Sequence, residues 1–171
     1  MPKQCETKQP TRVDMPLSRK SFLLICSEIT GYSGFELEST GLVDIYYQLL
    51  PGILGPQFTE EFAKSIDDVL VTGPDTPERQ AAVNRVLGPP SPFWPVISAL
   101  VSLWYLGTWN QLPDSWYAAV GLALPGQSDA GRTHVPSQLG YIEQLSYKTA
   151  DAHPPGAKPT GFGSWGWKPV V

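Results

Sequence analysis

Chemistry in a protein needs convergent reactive side chains, and this chain offers few. Its two histidines, His134 and His153, each lie in a loop-like stretch close to proline. A metal centre asks for three or four converging ligands, more than these isolated imidazoles supply. A nucleophile-and-base set would have to be drawn from Ser128, Asp129 and His134, or from Asp151 and His153. Neither group falls at the sharp strand-to-helix turn that exposes a nucleophile. The carboxylate pairs Glu60/Glu61 and Asp67/Asp68 are adjacent in sequence. They suit a helix start and a solvated face, where the helix dipole favours acids near the N-terminus.

The two cysteines, Cys5 and Cys26, are fewer than a disulfide framework or an iron–sulfur cluster requires. Cys26 falls on an apolar helical face, where an inert buried thiol is expected. The sequence contains no glycine-rich dinucleotide fingerprint, phosphate loop, Cys-x-x-Cys-His or His-Glu-x-x-His motif. The chain itself is therefore expected to hold no cofactor, no metal and no catalytic residue. A net charge of −4 argues against nucleic acid as a partner, because nucleic acid selects a basic surface.

Aromatic residues are more telling. Trp104, Tyr105, Trp109, Trp116, Tyr117, Trp165 and Trp167 exceed what one modest core needs. Trp and Tyr also dominate the anchors of protein interfaces. Phe162, Trp165 and Trp167 lie in a Pro/Gly-rich tail without periodicity, a composition suited to a strap laid over a partner. With Trp104 and Tyr105 on a central helix, they are the candidate partner-interface residues.

The elements that position these residues read as all-α, five to six helices in one domain over residues 1–171. An extended arm covers 1–15 and an extended tail 151–171. A first helix is capped by Ser18 and stopped by Gly31, with Phe22, Ile25, Cys26 and Ile29 on its apolar stripe. Residues 32–34 read as a turn. Leu42 to Leu50 mark a second helix ended by Pro51-Gly52, and Thr59-Glu60-Glu61 starts a third. Thr76-Pro77 starts a fourth, with proline at the first helical position. Residues 95–107 follow, apolar but for Ser98 and Ser102. A helix apolar nearly all round must be buried or in lipid, and this one is too short for the ~20 residues that cross a bilayer. Residues 108–136 look like an irregular insertion, in which 115–124 reads as a short helix or a strand. A last helix is expected over about 136–148.

An ordered set of motifs points to a family. It runs from Phe22-Leu-Leu-Ile-Cys-Ser-Glu-Ile-Thr-Gly31, through Tyr46-Tyr47 and Leu103-Trp-Tyr-Leu-Gly107, to Tyr141, Leu145 and a Pro-Gly…Phe-Gly-x-Trp…Lys-Pro ending over 155–169. The chain resembles the small subunit of FAD-dependent sugar and polyol dehydrogenases of the sorbitol, fructose and glucose types. Ser27, Thr30, Gly31, Trp104, Tyr105 and Gly107 stand at that family's Ser-x-Leu-Thr-Gly and Trp-Tyr-x-Gly positions, with Ile29 for the leucine. The resemblance covers roughly residues 20–107 and 137–170.

It implies a helical, non-catalytic subunit that clasps and helps fold a large GMC-type flavoprotein. FAD, and in some members an iron–sulfur cluster, belong to that partner, and haem c to a multihaem cytochrome subunit. It also implies the periplasmic side of a bacterial inner membrane, with no span in this chain; a cytoplasmic location is the alternative. The family's twin-arginine leader is not expected in residues 17–31, where Lys20 replaces the second arginine and Glu28 interrupts the following apolar run. Two other functions remain open from the residues alone. One is a small enzyme using His134 or His153. The other is a free-standing binding module with the tryptophan cluster as its pocket.

Overall fold

A computed structural model describes residues 16–74, 76–127 and 129–152. Within them the fold is all-α, as expected, with eight helical segments. Helix α1 (Arg19–Thr30) begins and ends as its sequence predicts. The Ser18 side chain accepts from the Ser21 amide, and Gly31 closes the C-terminus in the left-handed conformation. Phe22, Ile25 and Cys26 are fully buried.

The expected turn at 32–34 instead launches a short helix, α2 (Gly34–Ser39). Ser33 and Glu36 form a reciprocal capping box that satisfies two otherwise orphaned amides. The helix is therefore set by its cap rather than by an apolar stripe.

The next departure is larger. Instead of stopping at Pro51-Gly52 and restarting at Thr59, the chain runs on as α3 (Val43–Leu70), bent at Gly55. Gly55 adopts φ 69°, ψ 165°, a conformation glycine tolerates best. Pro56 then stands in the first turn of the second half, where a missing N–H costs no helical bond. Thr59 is not a cap; its hydroxyl donates to the Gly55 carbonyl at 2.5 Å, and the residue is buried. The restart signal was real but lay four residues earlier, at the glycine–proline pair.

Helix α4 (Pro77–Leu87) follows Thr76 as cap, with proline at its start. Helix α5 (Trp94–Leu106) is the apolar segment, and Val96, Ile97, Ala99, Leu100, Leu103 and Trp104 are buried on it. Residues 115–124, open between helix and strand, resolve to α6 (Asp114–Val120). The expected last helix is split into α7 (Gln138–Glu143) and α8 (Leu145–Thr149), because Gln144 takes an extended conformation (φ −59°, ψ 142°) between them. Of the expected arm and tail, residues 1–15 and 153–171 lie outside the described residues.

Helix α3 packs on α1 and α4, α1 on α2 and α5, and α5 on α7 and α8. Phe22, Tyr46, Phe62, Trp104 and Trp109 are among the largest side chains wholly enclosed. The Tyr46 and Trp104 rings meet edge to face at 4.9 Å, an arrangement suited to the aromatic quadrupole. Arg79 of α4 is buried inside this frame. Its guanidinium donates to the carbonyls of Leu70 (3.1 Å) and Thr72 at the end of α3, and pairs with Glu28 of α1 at 3.4 Å. One side chain thus satisfies end-of-helix acceptors and ties three helices together. Among the described residues, no helix is long and apolar enough to cross a membrane.

Candidate partner-facing surface

Ser27, Thr30 and Tyr105 meet at one joint, at the end of α1. The Ser27 hydroxyl donates to the Tyr32 carbonyl at 2.6 Å, and Thr30 donates to the Cys26 carbonyl at 2.7 Å. Across the helix pair, the Tyr105 hydroxyl donates to the Thr30 carbonyl at 2.8 Å. Gly107 ends α5 at φ 66°. A Cβ there would lie 2.6 Å from the Gly140 carbonyl oxygen and 3.2 Å from the Tyr141 amide nitrogen. The close approach of α7 to α5 therefore requires glycine at 107. These side chains spend their polar groups on holding the C-terminal ends of α1 and α5.

Trp104 was a candidate interface residue, and its position corrects that expectation. It is fully buried in the chain's own core, where Tyr46 covers it, so it has no surface to offer. Tyr105 is half-buried and engaged through its hydroxyl. Phe162, Trp165 and Trp167 lie outside the described residues. Trp109 and Trp116 are buried as well. Together with Trp104, they line none of the three clefts described below.

The titratable candidates are dispersed. His134 pairs its backbone with Trp109 through bonds of 2.9 and 3.0 Å, and its Nδ1 lies 2.7 Å from the Arg132 carbonyl. Asp129 accepts from the Gly126 amide at 2.7 Å and so closes its own loop. Ser128, His153 and Cys5 lie outside the described residues. Glu60 pairs with Lys64 one turn away, and Asp67 accepts from Ser21. Cys26 is wholly enclosed, and burial pushes its thiol up to about 12, opposed only in part by the Trp104 indole N–H. Among the described residues, no group of three His, Cys, Asp or Glu side chains is placed to hold a metal ion.

Large apolar side chains are exposed at several places, Phe35 and Val71 among them, and three belong to segments that meet near the C-terminal end of α5. Leu106 is 57 % exposed, Val135 55 % and Tyr141 42 %. Val135 is carried to this end by the Trp109–His134 pairing, and Tyr141 by the approach of Gly140 to Gly107. Sequence reasoning missed Leu106 and Val135 as surface residues. The segments that carry them are brought together by a single backbone bridge between Trp109 and His134, across a stretch whose one helix is the short α6 and which gives no periodic signal for that pairing.

Three clefts accompany this surface. A cleft of about 550 Å³ sits at the α3 bend, between Leu54, Phe58 and Glu61 on one side and Val120 and Leu122 on the other. A second, about 400 Å³, runs along the Trp94, Ser98 and Ser102 side of α5. The third, about 370 Å³, lies between α2 and the α7–α8 pair. No family model matches this chain, and no curated protein or solved structure is significantly similar to it.

Proposed function

We propose that this chain is a non-catalytic small subunit that folds with and stabilises the large FAD-containing catalytic subunit of a sugar or polyol dehydrogenase. The observation that carries this reading is the set of exposed apolar side chains, Leu106, Val135 and Tyr141, around the end of the helix that also bears the family-like Trp-Tyr-x-Gly residues. Large apolar residues grouped on a surface mark association sites. In this reading FAD, any iron–sulfur cluster and haem c reside in partner subunits at the periplasmic face of the inner membrane. Phe162, Trp165 and Trp167 add a strap to the same contact.

Coexpression with a large GMC-type dehydrogenase subunit, capture through a tag on this chain, and an absorbance spectrum of the eluate test the proposal. A yellow complex with flavin bands is expected. The paired change Leu106→Asp with Tyr141→Asp should reduce the recovered flavin while leaving the helical circular dichroism of the isolated chain intact. A well-behaved, colourless monomer that captures no flavoprotein overturns the reading.

A second reading, a binding module for a small apolar ligand, draws on the cleft at the α3 bend. The Phe58 ring that lines it meets Trp116 edge to face at 4.9 Å. A ligand there would change Trp116 fluorescence in the isolated chain, and a flat titration would remove this alternative.

A further inference from the structure

The cleft at the α3 bend combines apolar walls with a single charge. Leu54 and Phe58 line it from α3, and Val120 and Leu122 from the end of α6 and just beyond. Phe58 is backed by Phe93 and Trp116, whose ring centroids lie 5.3 and 4.9 Å from its own. The bend brings the two sides together, for a Cβ on Gly55 would lie 3.4 Å from Leu122 Cδ2. The volume of about 550 Å³ is in the range that encloses a small molecule.

Among the described residues, Glu61 is the only charged side chain in the lining. Lys64, the cation one turn along the helix, is taken by Glu60 at 2.9 Å. The neutral amide of Gln57 approaches Glu61 at 3.5 Å and leaves its charge unbalanced. Ala119, Val120 and Gly121 also line the cleft, at the C-terminal end of α6. The last carbonyls of a helix have no intrahelical partner and carry partial negative charge. Gln57 and Phe58, in the first turn after the bend, present the opposite pole. A helix start is equivalent to about half a positive charge, against the whole negative charge of Glu61. The balance at the cleft is negative.

We propose that this cleft binds a small apolar amine, with its hydrocarbon body against Phe58 and Leu122 and its ammonium toward Glu61. An ammonium carries three donors and no acceptor, which suits a carboxylate beside unpaired carbonyls. A carboxylate head is repelled by Glu61. This assignment rests on the binding-module reading and adds to it the charge of the ligand.

Three probes of one shape, 4-phenylbutylamine, 4-phenylbutanol and 4-phenylbutyrate, are titrated into the full chain at neutral pH and followed in amide NMR spectra. The amine should shift the Gly121 and Leu122 signals, binding roughly two- to fivefold more tightly than the alcohol. The butyrate should bind weakest. Glu61 is exposed, so Glu61→Gln should keep the fold and abolish the gap between amine and alcohol. Glu61→Lys should reverse the order of amine and butyrate. Equal affinities for the three probes overturn the proposal while leaving an apolar pocket in place. So does an amine preference that survives Glu61→Gln. If no probe shifts those signals, the binding-module reading falls together with the proposal.

Discussion

Tyr105 of α5 donates its hydroxyl proton to the backbone carbonyl of Thr30, the last residue of α1, at 2.8 Å across 75 residues of sequence. Two segments with weak motifs are thus one structural joint. Tyr105→Phe removes the donor and keeps the ring, so the expected loss is about 1 kcal/mol, rising towards ~3 if water cannot reach the stranded carbonyl. The urea midpoint of the isolated chain measures it, and an unchanged midpoint would show that the joint contributes nothing.

Gly107→Ala should be far more damaging than Gly31→Ala. Both glycines have positive φ (66° and 75°), but a Cβ at 107 meets the Gly140 carbonyl at 2.6 Å whereas one at 31 meets nothing within 4 Å. Left-handed backbone costs an L-residue about 1–2 kcal/mol, and forced overpacking adds roughly 1–3 kcal/mol. Parallel denaturation curves of the two variants should differ by that second amount. Equal losses would mean that α7 moves aside freely.

Arg79→Met strands Glu28, 18 % exposed at its side chain, and the α3 carbonyls of Leu70 and Thr72. Breaking one partner of a buried pair costs roughly 3–5 kcal/mol, while replacing both is often far milder. The double variant Arg79→Met with Glu28→Met should therefore recover part of the stability lost by the single change. The coupling in the double-mutant cycle is the quantity to measure. Arg79→Lys should not rescue, because an ammonium cannot reproduce the guanidinium fork.

Glu36 gives the fold an acid-sensitive tie between α2 and α8. The Lys148 ammonium, and after it the Ser33 amide and hydroxyl, hold its carboxyl at about 2 instead of the ordinary 4.5. The unfolded chain therefore binds this proton more tightly than the folded one. The contribution is complete above pH 4.5 and is lost as pH falls through about 2. Glu36→Gln keeps a side chain able to close the capping box but removes the charge. Its urea midpoint should fall less than the wild type's between neutral pH and a pH close to 2. Identical slopes would place the acid sensitivity elsewhere.

Cys26 should behave as packing. With Cys5→Ser in the background, a thiol reagent at mildly alkaline pH should leave the native chain unmodified and label it once in denaturant. Burial suppresses the thiolate, which is the reactive form. Rapid labelling of the native chain would show that α1 opens readily.

Elements were legible in the sequence where periodicity, cap and stop agreed. Helix α1 has Ser18, its stripe and Gly31; α4 has Thr76-Pro77 and its own stripe. Legibility failed where one local rule had two outcomes. Pro51-Gly52 reads as a terminus, yet the chain absorbs it and bends at Gly55 because both halves of α3 bury apolar faces in the same core. Similarly, 136–148 keeps a helical period through Gln144, although the backbone there is extended. Surface and core were harder still to separate. Trp104 and Leu106 are two residues apart on one apolar helix, and only tertiary packing decides that the first is enclosed and the second open.

The bend at Gly55 has a dimensional consequence. Twenty-eight helical residues laid straight would span roughly 42 Å, against a radius of gyration of about 15 Å for a domain of this length. Unbroken, the longest element would jut past the body like a spar, with its far turns in water and its valines and phenylalanines bare. Hinged at one glycine, it becomes a bracket whose two arms clasp the same interior. Single-residue insertions just after Gly55 would turn the second arm by about 100° and swing Phe58, Phe62 and Ile66 outward. Among the described residues, tolerance for length change should therefore be low between the bend and α4.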